Sequence, residues 1–334
     1  MFTEKSTGVN PFLLSPYHPF LPLGLVFALI RLPFLVVLSA LLFPLEYVSC
    51  VLEALIPLVG FLFRRYIVSY IARALLFSLG FHVGGVAMVH LRKEAVALRP
   101  PVRPSPPPVR GKVYIVNQSS WLDSLVVLSS LGCAWGALSD AGELGRVSHF
   151  GAVLRYLSGP TPSRHTARSS GSFFSTGESR SIACQPEGAP TNGKALLTFT
   201  RGLGLLGERL ASLPPNSPRP LVHTLGIHYA NGAGNFSPCF LAAGSPWYHI
   251  FCLLTQPFSS VTLYALPSSF DPQPSDSLST FSSPGVNPAV ETAWPASIGA
   301  ALEQLLRGHG VKMVRLSSAD HERFVGLATN HKKE

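Results

Sequence analysis

The chain has 334 residues, 47% of them apolar and only 13% charged, with a mean hydropathy of +0.30. A charged fraction about half the roughly 25% of an ordinary soluble domain argues against a freely soluble cytosolic globule, and the apolar content excludes disorder throughout. Lys and Arg outnumber Asp and Glu by 26 to 17, for a net charge of +9 with no long basic run, which suits an anionic membrane surface or a phosphorylated small substrate and sets nucleic acid aside.

After an N-terminal tail over 1–19, Phe20 to Phe63 is the most hydrophobic stretch. Arg31, Glu46 and Glu53 interrupt it, and Pro22, Pro33, Pro44 and Pro57 punctuate it. It is too long and lies too far from the start for a cleavable signal peptide, so it reads as a membrane anchor. A spanning helix needs about 20 apolar residues. The stretch between Arg31 and Glu53 supplies them only by taking Glu46 into the bilayer, at about 2.5 to 3.5 kcal/mol. The prolines favour broken, re-entrant or in-plane helices, so spanning and one-leaflet anchoring both stay open.

Arg64, Arg65, Arg73, Arg92, Lys93, Arg99, Arg103 and Arg110 follow the anchor, whereas the first twenty residues carry only Glu4 and Lys5. The positive-inside bias places everything after Phe63 on the cytosolic face. Arg64 to Phe81 reads either as an interfacial helix completing the anchor region 20–81 or as a buried core helix.

From 82 to 267, apolar runs alternate with helical patterns around a Pro-rich loop at 99–110 that can form neither helix nor central strand. The expected elements are a strand at Lys112–Val116, a helix from Trp121, a strand at Trp135–Leu138 and a helix at Glu143–Leu157. Next come a strand at Ser181–Cys184, a helix at Lys194–Leu213, a strand at Leu221–Tyr229, a helix near Trp247 and a strand at Val261–Leu266. This alternation predicts an α/β domain with a largely parallel sheet flanked by helices. Ser158 to Ser181 reads as a mobile loop with one short helix, 268–290 as a Ser- and Pro-rich insertion, and 291–334 as C-terminal helices, including Ala293–Arg307, and a tail.

Five cysteines, Cys50, Cys133, Cys184, Cys239 and Cys252, are widely spaced with no CxxC. They read as free thiols on the reducing side of a membrane, with no metal site.

Two clusters carry chemistry. Asn117-Gln118-Ser119-Ser120-Trp121-Leu122-Asp123 follows a strand and opens a helix. Residues five apart in a continuous helix point about 140° apart, so Gln118 and Asp123 face each other only if Gln118 precedes the helix, with Ser119 or Ser120 as N-cap. Gln185-Pro186-Glu187-Gly188-Ala189-Pro190-Thr191-Asn192-Gly193-Lys194 follows the strand at Ser181–Cys184. Its glycines, Thr191, Asn192 and Lys194 make either a phosphate cradle at a helix N-terminus or an ordinary strand-to-helix turn. Gly188 to Lys194 also has P-loop spacing, but Ala195 stands where a magnesium-binding Ser or Thr belongs, which argues against nucleotide hydrolysis. Two glycosylation sequons begin at Asn117 and Asn235 and are expected to be unmodified on the cytosolic side.

In their order, the two clusters resemble the signatures of the phospholipid and glycerol acyltransferase family: Asn-His, four residues and Asp, then Phe-Pro-Glu-Gly-Thr. Asn192-Gly193-Lys194 and the opening Ser6-Thr7-Gly8-Val9-Asn10-Pro11-Phe12-Leu13 look like the fungal lysophosphatidic acid:oleoyl-CoA acyltransferase-like branch. The resemblance covers roughly Gly85 to Leu266. It implies transfer of a fatty acyl group from acyl-CoA, a co-substrate with no further cofactor, to the hydroxyl of a lysophosphatidic-acid-like lysophospholipid. The site would lie at the cytosolic face of the endoplasmic reticulum or a lipid droplet, in contact with membrane lipids. It places Gln118 and Asp123 in the catalytic turn and Glu187, Gly188, Thr191, Asn192 and Lys194 at the acceptor.

The chain departs from the pattern where Gln118 replaces the histidine, Gln185 the phenylalanine, Ala189 the threonine and Thr224 a later proline. The family's internal arginine falls to Arg155, Arg164 or Arg168. A carboxamide takes no proton near neutral pH, so the base would be Asp123 itself or a histidine such as His149 or His165. The alternative is a catalytically silent member that binds lipid or serves as a scaffold.

Overall fold

The computed structural model describes residues 10, 12, 22–89, 111–157, 181–213, 220–230, 236–239, 245–266 and 288–330. The Pro-rich loop 99–110, most of the Ser- and Pro-rich insertion, and the segment carrying Arg164, His165 and Arg168 lie outside these residues.

The apolar region expected to be an anchor begins with α1, Leu23–Leu55, a single helix of 33 residues. At 1.5 Å per residue it is about 50 Å long, more than the roughly 30 Å hydrocarbon core of a bilayer. Pro33 and Pro44 sit inside it, contrary to the expectation that they break it. The break comes at Ile56, pushed out of helical geometry ahead of Pro57 (φ −136°, ψ 87°). Helix α2, Pro57–Phe63, then packs against α1 and leads through a π-helical turn at Arg64–Val68 into α3, Ser69–Ser78.

The charges that interrupt α1 face the rest of the protein. Arg31 donates to the carbonyls of Leu254 and Gln256 at 3.2 and 2.7 Å. Glu46 accepts the amides of His149 and Phe150 at 2.6 and 3.3 Å. Glu53 pairs with both Arg64 and Arg146 at 2.9 Å. Glu46, Ser49 and Glu53 recur at helical spacing and are buried, whereas Leu29, Ile30, Phe34, Val37, Phe43 and Leu55 are exposed on the outer side. The helix is amphipathic in an inverted sense, fastened by its polar stripe.

The domain is built on a seven-stranded sheet. Its strands are β1 (Phe81–Met88), β2 (Lys112–Val116), β3 (Ala134–Leu138), β4 (Leu144–Val147), β5 (Ile182–Cys184), β7 (Leu221–Ala230) and β8 (Ser259–Ala265), in the order β1-β8-β7-β2-β5-β3-β4. The pairs β1–β8, β7–β2, β2–β5 and β5–β3 are parallel, and β8–β7 and β3–β4 antiparallel. A small parallel pair joins β6, Ala195–Leu196, to β9, Lys312–Met313. The expected α/β architecture, a mostly parallel sheet flanked by helices behind a long apolar helix, is therefore observed.

Side chains alternate along the strands as period-2 geometry requires. Val113, Ile115, Ile182 and Cys184 join a core with α6, Arg201–Ala211, and α8, Pro288–Leu306. Val116 and Ala183 join the opposite core with α3, α4 (Asp123–Leu131) and α7 (Pro246–Thr255). Helices thus cover both faces. The carbonyls of Leu128, Ser129 and Ser130 at the end of α4 accept from Ser69, Arg73 and Arg65, with the two cations where the helix dipole favours them. Leu75 and Leu76 of α3 are buried while Tyr70 and Phe77 are exposed, so the helix expected at Arg64–Phe81 has a core face and an outer apolar face.

Two expected helices start late. Where Glu143–Leu157 was expected to be one helix, Leu144–Val147 pairs with β3 after a turn at Ser139–Gly142, and α5 runs from His149 to Leu157. Where Lys194–Leu213 was expected, Ala195 and Leu196 pair with Lys312 and Met313, and the helix starts at Arg201. In both cases a strand partner captures the first residues of the apolar run. Helix α9, Ser318–Asn330, closes the described chain.

Candidate functional site

Strands β2 and β5 are parallel neighbours, with Ile115 opposite Cys184. The turns that follow them therefore emerge side by side at the C-terminal edge of the sheet, where open α/β sheets form ligand crevices. On the other side of β2, β7 contributes its distal residues to the same edge.

The first turn is clamped by Asn117, whose side chain accepts from the Ile227 amide at 2.6 Å and donates to the Ile227 carbonyl at 3.2 Å. Asp123, fully buried, folds back over the turn. Its Oδ2 accepts the amides of Ser119 and Ser120 at 2.8 and 2.9 Å and the Gln185 carboxamide at 2.8 Å, and its Oδ1 accepts the Tyr229 hydroxyl at 2.7 Å. Gln118 thus precedes the helix as expected, but the capping differs. Asp123 serves the amides of both serines, and Ser120 Oγ accepts from Leu122 N at 3.1 Å and donates to the Pro238 carbonyl at 2.7 Å.

Glu187 joins the two turns. One carboxylate oxygen accepts the Gln118 amide at 2.6 Å and the other the Leu197 amide at 2.8 Å, with the side chain wholly buried. Gln185 adds a second link, donating to the Asn117 carbonyl at 3.1 Å as well as to Asp123. Thr191 adds a third, from its amide to the Gln118 carbonyl at 3.2 Å.

The rest of the second turn is held from within. Thr191 Oγ1 donates to the Ala195 carbonyl, and the amides of Gly193 and Lys194 donate to Thr191 Oγ1 and Asn192 Oδ1. Gly188 and Gly193 adopt φ of 75° and 74°, the left-handed region that favours glycine. Since the turn leads into β6, it does not form the expected cradle at a helix N-terminus. Asn192 reaches the Asn10 carbonyl at 2.9 Å, and Phe12 is buried with Ala189, Ala195, Leu197 and Val314. Lys194 alone of the expected acceptor residues is exposed.

Burial sets the titration of the network. It pushes Asp123 up from 3.8 to about 6, against its four hydrogen-bond donors, and Glu187 up from 4.5 to about 8, against its two amide donors. Burial also raises Tyr229 well above the ordinary range and holds the Cys239 thiol at about 12. The structure thus brings Gln118, Asp123, Glu187 and Thr191 into one buried network, with Gly188, Asn192 and Lys194 on the turn around it.

His149 lies elsewhere. Its ring nitrogens are 2.9 and 3.0 Å from the carbonyls of Ser124 and Cys133, and its amide meets Glu46. It therefore fastens α5 to α4 and α1 and is not the basic group expected beside Gln118. His249 is nearer, edge-on to Trp121 and Phe236 with centroids 6.4 and 4.8 Å away, but burial drives it down to about 3. Among the described residues no group of three or more His, Cys, Asp or Glu is placed to hold a metal.

Three contributors escaped the sequence reading. Tyr229 shares a strand face with Leu225 and Ile227, which places it toward α4, but its bond to Asp123 depends on β7 lying beside β2. Pro238 and the Asn10 carbonyl offer only backbone oxygens, which no residue type signals.

No protein-family model and no curated protein matches the chain. Among solved structures, the chain is similar to the crystal structure of PlsC, the 1-acyl-sn-glycerophosphate (LPA) acyltransferase from Thermotoga maritima. The match has 14% identity and a TM-score of 0.30, covering 80% of this chain and 97% of that one.

Proposed function

We propose that this protein is a membrane-associated acyltransferase that moves a fatty acyl group from acyl-CoA to the hydroxyl of a lysophosphatidic-acid-like acceptor. The observation that carries the reading is the contact between Gln118 and Glu187, which makes one site of two turns whose order resembles the family signatures.

In this reading the acceptor hydroxyl is held by the Gln118 carboxamide, and the exposed Lys194 ammonium meets the acceptor's phosphate. Glu187, Gly188, Thr191 and Asn192 shape the turn that presents them, and Asp123 fixes the Ser119–Ser120 backbone. The hydroxyl oxygen bonds to the thioester carbonyl carbon, the carbon–sulfur bond breaks, and the hydroxyl proton ends on the departing thiol. With a carboxamide in place of a base, the reaction runs about 10² to 10⁴-fold slower than a base-assisted one. The apolar outer face of α1 seats the protein in one leaflet, with the domain on the cytosolic side of the endoplasmic reticulum or a lipid droplet.

A second reading, a silent lipid-binding or scaffold protein, is favoured by one observation: Asp123 already accepts four neutral donors. Full-length protein reconstituted with labelled oleoyl-CoA and lysophosphatidic acid separates the two. Phosphatidic acid that depends on Asp123 supports the transferase. Lipid binding with no product above the Asp123→Ala background refutes it and leaves the silent protein.

A further inference from the structure

Helix α7 has two unlike faces. Inward, His249, Cys252, Leu253 and Leu254 are buried, and His249 packs on Trp121 in the first motif turn. Outward, Trp247 is 80% exposed, and Tyr248 and Phe251 are exposed beside it. Past the end of the helix, the exposed Phe258 stacks on the exposed Phe77 of α3 at 4.8 Å.

This aromatic edge adjoins α1, whose exposed Leu25, Val26, Leu29 and Ile30 flank in sequence the buried Gly24 and Arg31 that meet the α7 end. Arg31 lies over the rings of Phe27 and Phe258 at 5.0 and 4.5 Å while capping the carbonyls of Leu254 and Gln256. The two helices also meet at Gly24, where a Cβ would stand 2.7 Å from the Thr255 carbonyl oxygen.

We propose that α7 is a second membrane contact, with Trp247, Tyr248 and Phe251 seated at the headgroup level of the bilayer that receives the apolar face of α1. The inference rests on the membrane-associated reading above. Ten residues span only about 15 Å, too short to cross a bilayer, so the helix lies flat. Its sequence PWYHIFCLLT holds no Asp, Glu, Lys or Arg to desolvate, and Trp and Tyr are the residues that settle at membrane interfaces. A second copy of the chain fits less well. At about 200 Å² for a fully exposed ring, the five rings, which are between 41% and 80% exposed, offer roughly 600 Å², short of the roughly 800 Å² per partner in a stable protein interface. Because the inner face of α7 touches Trp121, this contact holds the motif turn at a fixed depth beside the lipid surface.

Tryptophan fluorescence tests this, because Trp121, Trp135 and Trp294 are buried and Trp247 is not. The full chain is reconstituted into phosphatidylcholine and phosphatidylserine vesicles carrying phospholipid brominated either high or low on the acyl chain. The expected result is stronger quenching by the high bromines, with most of it lost in Trp247→Phe. Vesicle-bound protein whose quenching is unchanged in Trp247→Phe overturns the α7 contact while leaving the α1 anchor standing. Failure to float with vesicles overturns both. Shielding of Trp247 that grows with protein concentration in detergent, without bilayer quenching, assigns the face to a second copy and also overturns the proposal.

Discussion

Glu187 accepts the backbone amide of Gln118 at 2.6 Å although 69 positions separate the two residues. Its other oxygen takes the Leu197 amide, so one buried carboxylate holds together the turn after β2, the turn after β5 and the chain leaving β6. Replacing it by Glu187→Gln turns an NH₂ group toward one of those amides and strips that donor of its acceptor. The expected loss is about 1 to 3 kcal/mol, measured by denaturant unfolding in detergent.

Above about pH 6.5, where the buried His249 is neutral in the native and unfolded states alike, stability is also expected to fall with rising pH. Glu187 titrates near 4.5 when unfolded and near 8 in the native state, and Asp123 near 3.8 and 6. Between these values the native state keeps protons that the unfolded chain has released. The stabilisation is therefore complete below the unfolded values and is lost as pH rises through about 6 for Asp123 and about 8 for Glu187. Unfolding midpoints across this range should show the slope, and Glu187→Gln should flatten its upper part. A midpoint that climbs between about pH 6.5 and 8 contradicts the assignment.

Tyr229→Phe removes one of the four donors to Asp123 together with the Tyr229–Ser120 side-chain hydrogen bond. The cost is about 1.5 to 3 kcal/mol, the range for a hydrogen bond to a charged group. Gln185→Ala should cost a similar amount and also loosen the Asn117 carbonyl. Because both changes act on one carboxylate, the double variant should depart from additivity, which a double-mutant cycle measures.

Glu53 compensates Arg64 and Arg146 at the junction of α1 and the domain. Glu53→Ala leaves the buried Arg64 guanidinium unpaired, a change that costs about 3 to 5 kcal/mol. Thermal unfolding in detergent should show the loss, and limited proteolysis should cut after Arg64 in the variant first.

Much of this site was legible in the sequence because its residues follow strands, and strands of an α/β domain that enter one parallel sheet deliver their turns to one edge. Asn117 through Asp123 and Gln185 through Lys194 were found in that way. Glu46 was legible as a charge in an apolar helix but not as a partner of the α5 amides, since burial against the domain decides its energy and the sequence does not show which face is buried. The switch of Ala195 and Leu196 from helix to strand depends on Lys312 and Met313, a pairing more than a hundred residues away that no local pattern encodes. Tyr229 was missed for a related reason: its role exists only once β7 lies next to β2.

The decisive measurement is the turnover of Gln118→His against wild type in proteoliposomes, with labelled oleoyl-CoA and lysophosphatidic acid. If Gln118 holds the acceptor hydroxyl where a base would stand, the imidazole should raise turnover by about 10² to 10⁴-fold, and Asp123→Ala should abolish the activity of both proteins. A folded Gln118→His variant that binds both substrates yet turns over no faster than wild type would contradict the placement of the reacting hydroxyl at Gln118.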